Sequence, residues 1–535
     1  MSSGEFAQLV DSYLDIKWHL EPVEATAAGL SEHDHRLGAY AADDLKQSLV
    51  ALRSIGAALE SVATDSLDDE IDRTALLNDL RVTVHRFEQE RVHERNPLFW
   101  INHALEGLYL LLILRDRPAD HRSRTIAERL KAVPGLLQCG TQTLRDCPAV
   151  LVETAIEVCR AGSAVITQIS RELRQEESGD IEAACGEARE ALVTFIDHLQ
   201  SELPEFAEAR IGIGEDAFNF RLHFEHALKA SAPQLWRLGN RLIADAEREM
   251  SRLAEEIAPG VAWPDLVDKL RNEHPVDDQL VSVYAVEMKR SHDFVKDKDL
   301  VGMPDGKLEV VETPDFLRPL IPVAAYQPPG AFSQDRTGWF YVTDPAAAAS
   351  GIERRVNDQG VYELPCTALH EGYPGHHLQF LSAHAQPRVA RKIIASPLTV
   401  EGWAHYCEGM MGEHGYYRNA QEDLFRQLAL LWRAVRVVLD IELHTRGMSF
   451  GDAVQLLVDK VHADVASAKS EVRRYCAHPA YQLCYAVGAR ELAALRGDYA
   501  EAAGSSYSER QFHTDVMNYG GLPVSLMRWG MGLNG

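Results

Sequence analysis

Apolar residues recur every three or four positions along most of this chain, the spacing of helices that bury one face. DDLKQSLVALRSIGAALESV (43–62) and EDLFRQLALLWRAVRVVLDIELHTR (422–446) show it clearly. SRTIAERLKAVPGLLQCGTQTL (123–144) shows it too, with Pro134 placed to kink or interrupt the helix. The periodicity fails over 306–344. There KLEVVETP and VAAYQPPGAFSQDRTGWFYVTDP carry β-branched and aromatic residues punctuated by Pro and Gly. This predicts a small sheet, with Trp339–Thr343 as one strand. No fixed-period repeat and no low-complexity tract interrupts the pattern. The expectation is a mainly α fold in which a helical N-terminal lobe (about 1–205) precedes a lobe over 206–535 that holds the sheet. No Pro/Gly/Ser-rich linker divides them, so one compact body is expected.

Composition narrows the function without changing that picture. The 535 residues are 46% hydrophobic and 25% charged, ordinary for a soluble globular protein. The formal charge of −26 disfavours nonspecific binding to nucleic acid, whose phosphates it would repel. The N-terminus lacks the basic and then apolar regions of a secretory signal. The most apolar run, LYLLLIL (108–114), is too short to span a bilayer and lies between Glu106 and Arg115. Eight cysteines with no CxxC pair suggest buried thiols in a reducing compartment, so a cytoplasmic protein with no membrane partner is expected.

Candidate chemistry concentrates in ALHEGYPGHHLQF (368–380). Pro365 suits the first turn of a helix that CTALHE continues. In HExxH metallopeptidases two histidines at i and i+4 share a helix face and bind zinc, and the Glu is the general base. Here position 374 is Pro, and the next histidines, His376 and His377, stand at i+6 and i+7 from His370. On a continuous helix i+6 points roughly 120° away, and i+7 lies about 10.5 Å along the axis. Tyr373-Pro374-Gly375, however, breaks helices. A bulge there would return a later histidine to the i+4 location, making HEGYPGH an HExxH with two residues looped out. Either His376 or His377 could close the set.

A zinc site needs a third protein ligand and an open position for water. SPLTVEGWAHYCEGMM (396–411) offers it: Ser396-Pro397 reads as a helix start, and Glu401, His405 and Glu408 then share one face. Trp403, Tyr406 and Met410 beside them mark that helix as buried, where ionisable groups need partners.

HEGYPGHHLQ with a downstream EGWAHY resembles the bacterial family called domain of unknown function 885. The likeness extends to LEPVEATAAGLSEHDHRL (20–37), IGIGEDAFNFRL (211–222), AAYQPPGAF…GWFYVTD (324–344), EVRRYCAHPAYQLCYAVGARELAALR (471–496) and FHTDVMNYGGLPVSLM (512–527). That family is similar to the gluzincin metallopeptidases, which implies a large helical fold around a small sheet and a zinc site. Gly375-His376 and Glu401-Gly402-Trp403 resemble the oligopeptidase branch of that group, and this favours His376 over His377 and supports Glu401.

The expectation that follows is a zinc peptidase acting on a small peptide or amide. His370, His376 and Glu401 would hold Zn²⁺ or another divalent transition metal, and Glu371 would be the base. Tyr485, and less strongly Tyr481, would donate to the oxyanion. Arg474 would pair with a substrate carboxylate, or with an internal acid. His405 and His377 would orient a ligand or bind substrate. The Trp339–Thr343 strand would pair with an extended peptide, or sit in the core. Rival expectations are a metal-dependent amidase or esterase for a non-peptide molecule, and a noncatalytic helical binding protein.

Overall fold

The structure, a computed structural model, describes residues 2–114, 116–173, 179–202, 209–271, 273, 279–314, 318, 321, 324–343 and 360–533. Residues 315–317, 319–320, 322–323 and 344 of the expected sheet region lie outside the described residues. The chain packs as two compact units. The first comprises Met1–Ile213 with Gly330–Asp335, and the second Gly214–Pro329 with Arg336–Gly535.

The first unit is helical. Its longer helices are Ser2–Leu20, Ala42–Ser61, Leu67–Glu88, Pro97–Ile113, Ala119–Thr143, Ala149–Leu173 and Gly179–Glu202. Ala42–Ser61 buries Leu45, Leu49, Leu52, Gly56 and Leu59, the 3–4 spacing legible in its sequence. Pro134 stays inside Ala119–Thr143 rather than ending it. Ile126, Leu130, Val133 and Leu137 are buried along one face there. At about 1.5–3 kcal/mol for each buried side chain, that face outweighs the ~3 kcal/mol an internal proline costs. The apolar run at 108–114 lies in the buried part of Pro97–Ile113 and just beyond it. Among the described residues no helix is long and apolar enough to cross a membrane, and all eight cysteines are free.

The second unit is mainly helical with one small mixed sheet. Its strands are β1 (Lys307–Glu312), β2 (Ala324–Gln327) and β3 (Thr337–Val342), in the order β1-β3-β2. β3 pairs with β1 in parallel, Lys307 opposite Thr337, and with β2 antiparallel, Ala324 opposite Val342. The expected strand is therefore central, with a neighbour hydrogen-bonded on each side. Its edges are spent, so β3 cannot take up an extended peptide.

Five helices carry the candidate site: α1 (Leu364–Glu371), α2 (His376–His384), α3 (Pro397–Glu413), α4 (Ala420–Thr445) and α5 (Cys484–Ala503). α1 packs on the helix Leu280–Lys298, on α3 and on α4. α3 runs along α5 at very close range. A Cβ on Gly402 would lie 2.6 Å from Gly488, and one on Gly488 would lie 1.9 Å from the Leu398 carbonyl. Glycine at both positions is what lets the two backbones touch. Trp403, Leu369, Leu378 and Met410 fill the core beneath them.

Candidate metal centre

The HEGYPGH segment is a break, not a bulge. α1 ends at Glu371 and α2 begins at His376, with Gly372–Gly375 between them. The Tyr373–Pro374 bond is cis. Gly375 doubles back on α1: its N–H donates to the Leu369 carbonyl at 3.0 Å. A Cβ there would fall 1.9 Å from the His370 carbonyl oxygen, so only glycine fits. The Trp403 indole N–H holds the turn by donating to the Pro374 carbonyl at 2.7 Å. The reason the bulge expectation missed is that it kept one helix axis; two short helices meet the same need by starting α2 next to the end of α1.

The result is convergence. The rings of His370 and His376 lie edge to face with centroids 4.7 Å apart. His370, Glu371 and His376 bring potential ligand atoms within 4.8 Å of one another. Glu401, from α3, completes the group: its Oε2 is 3.4 Å from His376 Nε2 and 3.9 Å from His370 Nε2. Both separations exceed the 2.7–2.9 Å of a charge-assisted hydrogen bond. They are near the roughly 3.4 Å between two donors that share one tetrahedral ion at about 2.1 Å. His376 Nδ1 is buried with no hydrogen-bond partner. A His/His/carboxylate donor set of this spacing fits zinc or a related divalent ion.

A second carboxylate fixes the first histidine. Glu408 is fully buried. Its Oε1 lies 2.7 Å from His370 Nδ1, and its Oε2 lies 2.9 Å from His405 Nδ1. With Nδ1 bound to the carboxylate, His370 turns Nε2 toward Glu401. Burial alone would raise the Glu408 carboxyl, but Arg433, His405 and His370 together hold it well below the usual range. Glu401 behaves likewise: burial opposes its charge, and His376, His370 and the Tyr481 hydroxyl outweigh that and lower it. For His376 burial works against protonation, and Glu401 overcomes it, raising the imidazole.

The remaining candidates separate. His377 is fully buried on the other side of α2, its Nδ1 2.8 Å from the Tyr326 hydroxyl of β2. Burial pushes it down to about 3. It ties the sheet to α2 and does not join His370 and Glu401. His405 bonds Glu408 and so acts on His370 at one remove. Tyr481 donates to Glu401 Oε1 at 2.5 Å. Tyr485 lies nearly parallel to His370, ring centroids 6.4 Å apart at 17°, and burial raises its phenol to about 12. Arg474 donates to Glu471 Oε2 at 2.8 Å, the internal pair expected as its alternative. Ser396 precedes α3, but its hydroxyl meets His226 Nδ1 at 3.2 Å and does not cap the helix.

A cavity of about 320 Å³ opens beside the group, lined in part by His370, Glu371, Tyr485, Trp432, Arg433 and Arg436. The three α4 side chains went unassigned in the sequence. Their signal is the run LWRAVRVV, where Arg433 and Arg436, three residues apart, interrupt an apolar helix on one side.

The family described as "Bacterial protein of unknown function (DUF885)" matches residues 22–531. No curated protein matches the chain. Among solved structures, one described as "a putative lipoprotein of unknown function" from Shewanella oneidensis aligns at a TM-score of 0.81 and 21% identity. The alignment covers 98% of this chain and 99% of that one. Another, "the putative lipoprotein from Colwellia psychrerythraea", aligns at 0.84 and 18% identity, covering 99% and 98%. These likenesses establish a shared fold over nearly the whole length.

Proposed function

The chain belongs to the bacterial DUF885 family, and from that premise we propose that it is a metal-dependent hydrolase, specifically a zinc peptidase cleaving an amide bond in a small peptide. One observation carries the reading: His370, His376 and Glu401 converge at the spacing of a shared ion. Glu371 adjoins them on the wall of a cavity. The likeness of HEGYPGH and Glu401-Gly402-Trp403 to gluzincin peptidases agrees with it.

Bound zinc would supply an acidified water and polarise the substrate carbonyl. The chain's own groups do the rest. Glu371 takes the proton from the attacking water and delivers it to the departing amine as the C–N bond breaks. Glu408 holds His370 in the tautomer that leaves Nε2 unprotonated, and Tyr481 fixes one oxygen of Glu401 so that the other faces the histidines. Tyr485, on the cavity wall, would donate to the oxyanion. Replacing Glu371 by Gln should lower hydrolysis of a peptide pool by about 10²–10⁴-fold, while zinc stoichiometry and melting temperature stay at parental values. Full activity in that variant, or less than half an equivalent of zinc in the parent after reconstitution, would sink the proposal.

A further inference from the structure

We propose that Arg433 is a receptor for a substrate carboxylate, so that the cavity takes the free C-terminal end of a short peptide. The site of cleavage in this inference rests on the hydrolase reading above; the binding does not.

Three arginines line the cavity: Arg271, Arg433 and Arg436. Arg436 is committed: its Nε donates to the Tyr475 hydroxyl at 2.8 Å and its Nη2 to Glu471 at 2.9 Å. Glu471 is in turn closed by Arg474 and Tyr475 at 2.8 Å each. Arg271 donates to the His462 carbonyl at 3.0 Å and faces Glu363 at 4.0 Å. The Nε of Arg271 and that of Arg433 are both buried without a hydrogen bond. Arg433 differs in that each hydrogen bond it makes is long, 3.3 Å to the Ala429 carbonyl and 3.4 Å to Glu408 Oε1, with the Tyr485 ring at 5.7 Å. Glu408 does not complete it, because that carboxylate already receives His370 and His405 at shorter range. A guanidinium offers five donors in a planar fork that matches a carboxylate. Here the guanidinium is partly exposed on a cavity wall, and only long contacts hold its terminal nitrogens.

The ligand class follows from the surroundings. The walls near Arg433 are the apolar or aromatic side chains Phe425, Leu428, Ala429 and Trp432, which suit the side chain of the residue that bears the carboxylate. One carboxylate and one imidazole, Glu408 and His370, separate Arg433 from the convergence point. Each extended residue spans about 3.3–3.6 Å. An acid group seated on Arg433 therefore sets a bond one or two residues upstream against His370 and Glu371. The volume of about 320 Å³ suits the end of a peptide and not a long segment. The substrate class is a short peptide with a free C-terminus, and the product released is an amino acid or dipeptide.

The test is a binding measurement on full-length protein carrying Glu371→Gln, which removes the base and keeps the cavity. Calorimetric titration with Gly-Phe and with Gly-Phe amide should show the free acid binding at least tenfold more tightly. Adding Arg433→Gln should bring the two within twofold. Arg433→Lys, which keeps the charge but loses the fork, should retain part of the preference and guards against a folding defect in the glutamine variant. Equal affinity for acid and amide, a preference that survives Arg433→Gln, or no binding of either peptide overturns the inference. Wild-type enzyme that cleaves amidated peptides as fast as free acids overturns it too, and leaves the hydrolase reading standing. An Arg433-dependent preference for the acid without any hydrolysis by zinc-loaded wild type supports the inference and removes the peptidase reading.

Discussion

Glu21 in the first unit and Glu401 in the second are carboxylates set among histidines and tyrosines in the interior, yet their partners are finished differently. Glu21 Oε2 accepts from the Tyr40 hydroxyl at 3.0 Å and faces His103 Nε2 at 2.9 Å. The second nitrogen of His103 meets the Phe99 carbonyl at 2.6 Å. Every polar atom of that imidazole is satisfied, and the knot is closed. Around Glu401 only Tyr481 makes a short hydrogen bond. The two imidazoles stand off at 3.4 and 3.9 Å, and His376 Nδ1 has no partner. Similar residue types thus make a cross-link in one place and, on the proposed reading, a receptor in the other. What distinguishes the two is spacing: the imidazole of the first knot lies within hydrogen-bond reach of both its acceptors, and those beside Glu401 stand near the separation of donors that share one ion.

The largest test of that difference substitutes both carboxylates alike. Glu401→Gln should weaken zinc binding by at least the roughly 100-fold that loss of an outer partner can cost. Glu21→Gln should act on the fold alone. It should cost about 1.5–3 kcal/mol, the worth of hydrogen bonds to a charged group, with zinc affinity unchanged. Denaturant melts with and without zinc read both quantities. If the two variants lose equal stability and neither loses metal, the distinction between cross-link and receptor fails.

A smaller effect is expected one residue further out. Glu408 accepts from two imidazoles at once and faces Arg433, so no orientation of a glutamine amide can serve all three. Glu408→Gln should weaken zinc binding by about 10–100-fold, as outer partners of metal ligands generally do, measured by competition with a chelator. Unchanged affinity would mean that His370 needs no orienting partner.

These contrasts were only partly legible in the sequence. Helices 43–62 and 422–446 begin within two residues of their observed starts at Ala42 and Ala420, because their buried faces repeat with helical spacing. The motif singles out the chemically active residues around His370. It left open how Tyr373–Gly375 would fold, since spacing arguments assume a continuous axis and the backbone at Gly372 and Gly375 abandons it. The bond from Glu408 to His370 spans 38 residues and joins two helices. Nothing local encodes it: in sequence Glu408 shares a face with Glu401, and only packing decides which of them meets Nδ1 and which meets Nε2. Arg433 was hidden for the same reason, as one charge on an apolar helix whose significance depends on the cavity beside it. The sheet order was equally silent, because a strand's pattern of residues does not say whether it lies at the edge or in the middle.

The smallest effect expected is a divergence with pH. In the first unit Glu21 raises the His103 imidazole above its ordinary value against the opposing effect of burial, and His103 lowers Glu21 in the same way. A raised histidine stabilises the fold fully below pH 6.5, and that contribution is lost as pH climbs through the folded value. Glu21, lowered in the fold, stays ionised throughout this range. In the second unit His513 is buried between the Tyr406 hydroxyl at 2.8 Å and the Leu300 carbonyl at 2.7 Å. Burial pushes it down to about 4. A lowered histidine carries no penalty above 6.5, but as pH falls the unfolded chain takes up a proton that the folded one refuses, so stability drops. Going from pH 8 to 5.5, hydrogen exchange corrected for its intrinsic rate should show protection rising in Pro97–Ile113. In Glu509–Met517 it should fall by about 1.4 kcal/mol, the cost of one pH unit below 6.5. Parallel change in the two helices would show that His103 and His513 are not held in opposite charge states, and the contrast between a charged cross-link and a neutral buried imidazole would go with it.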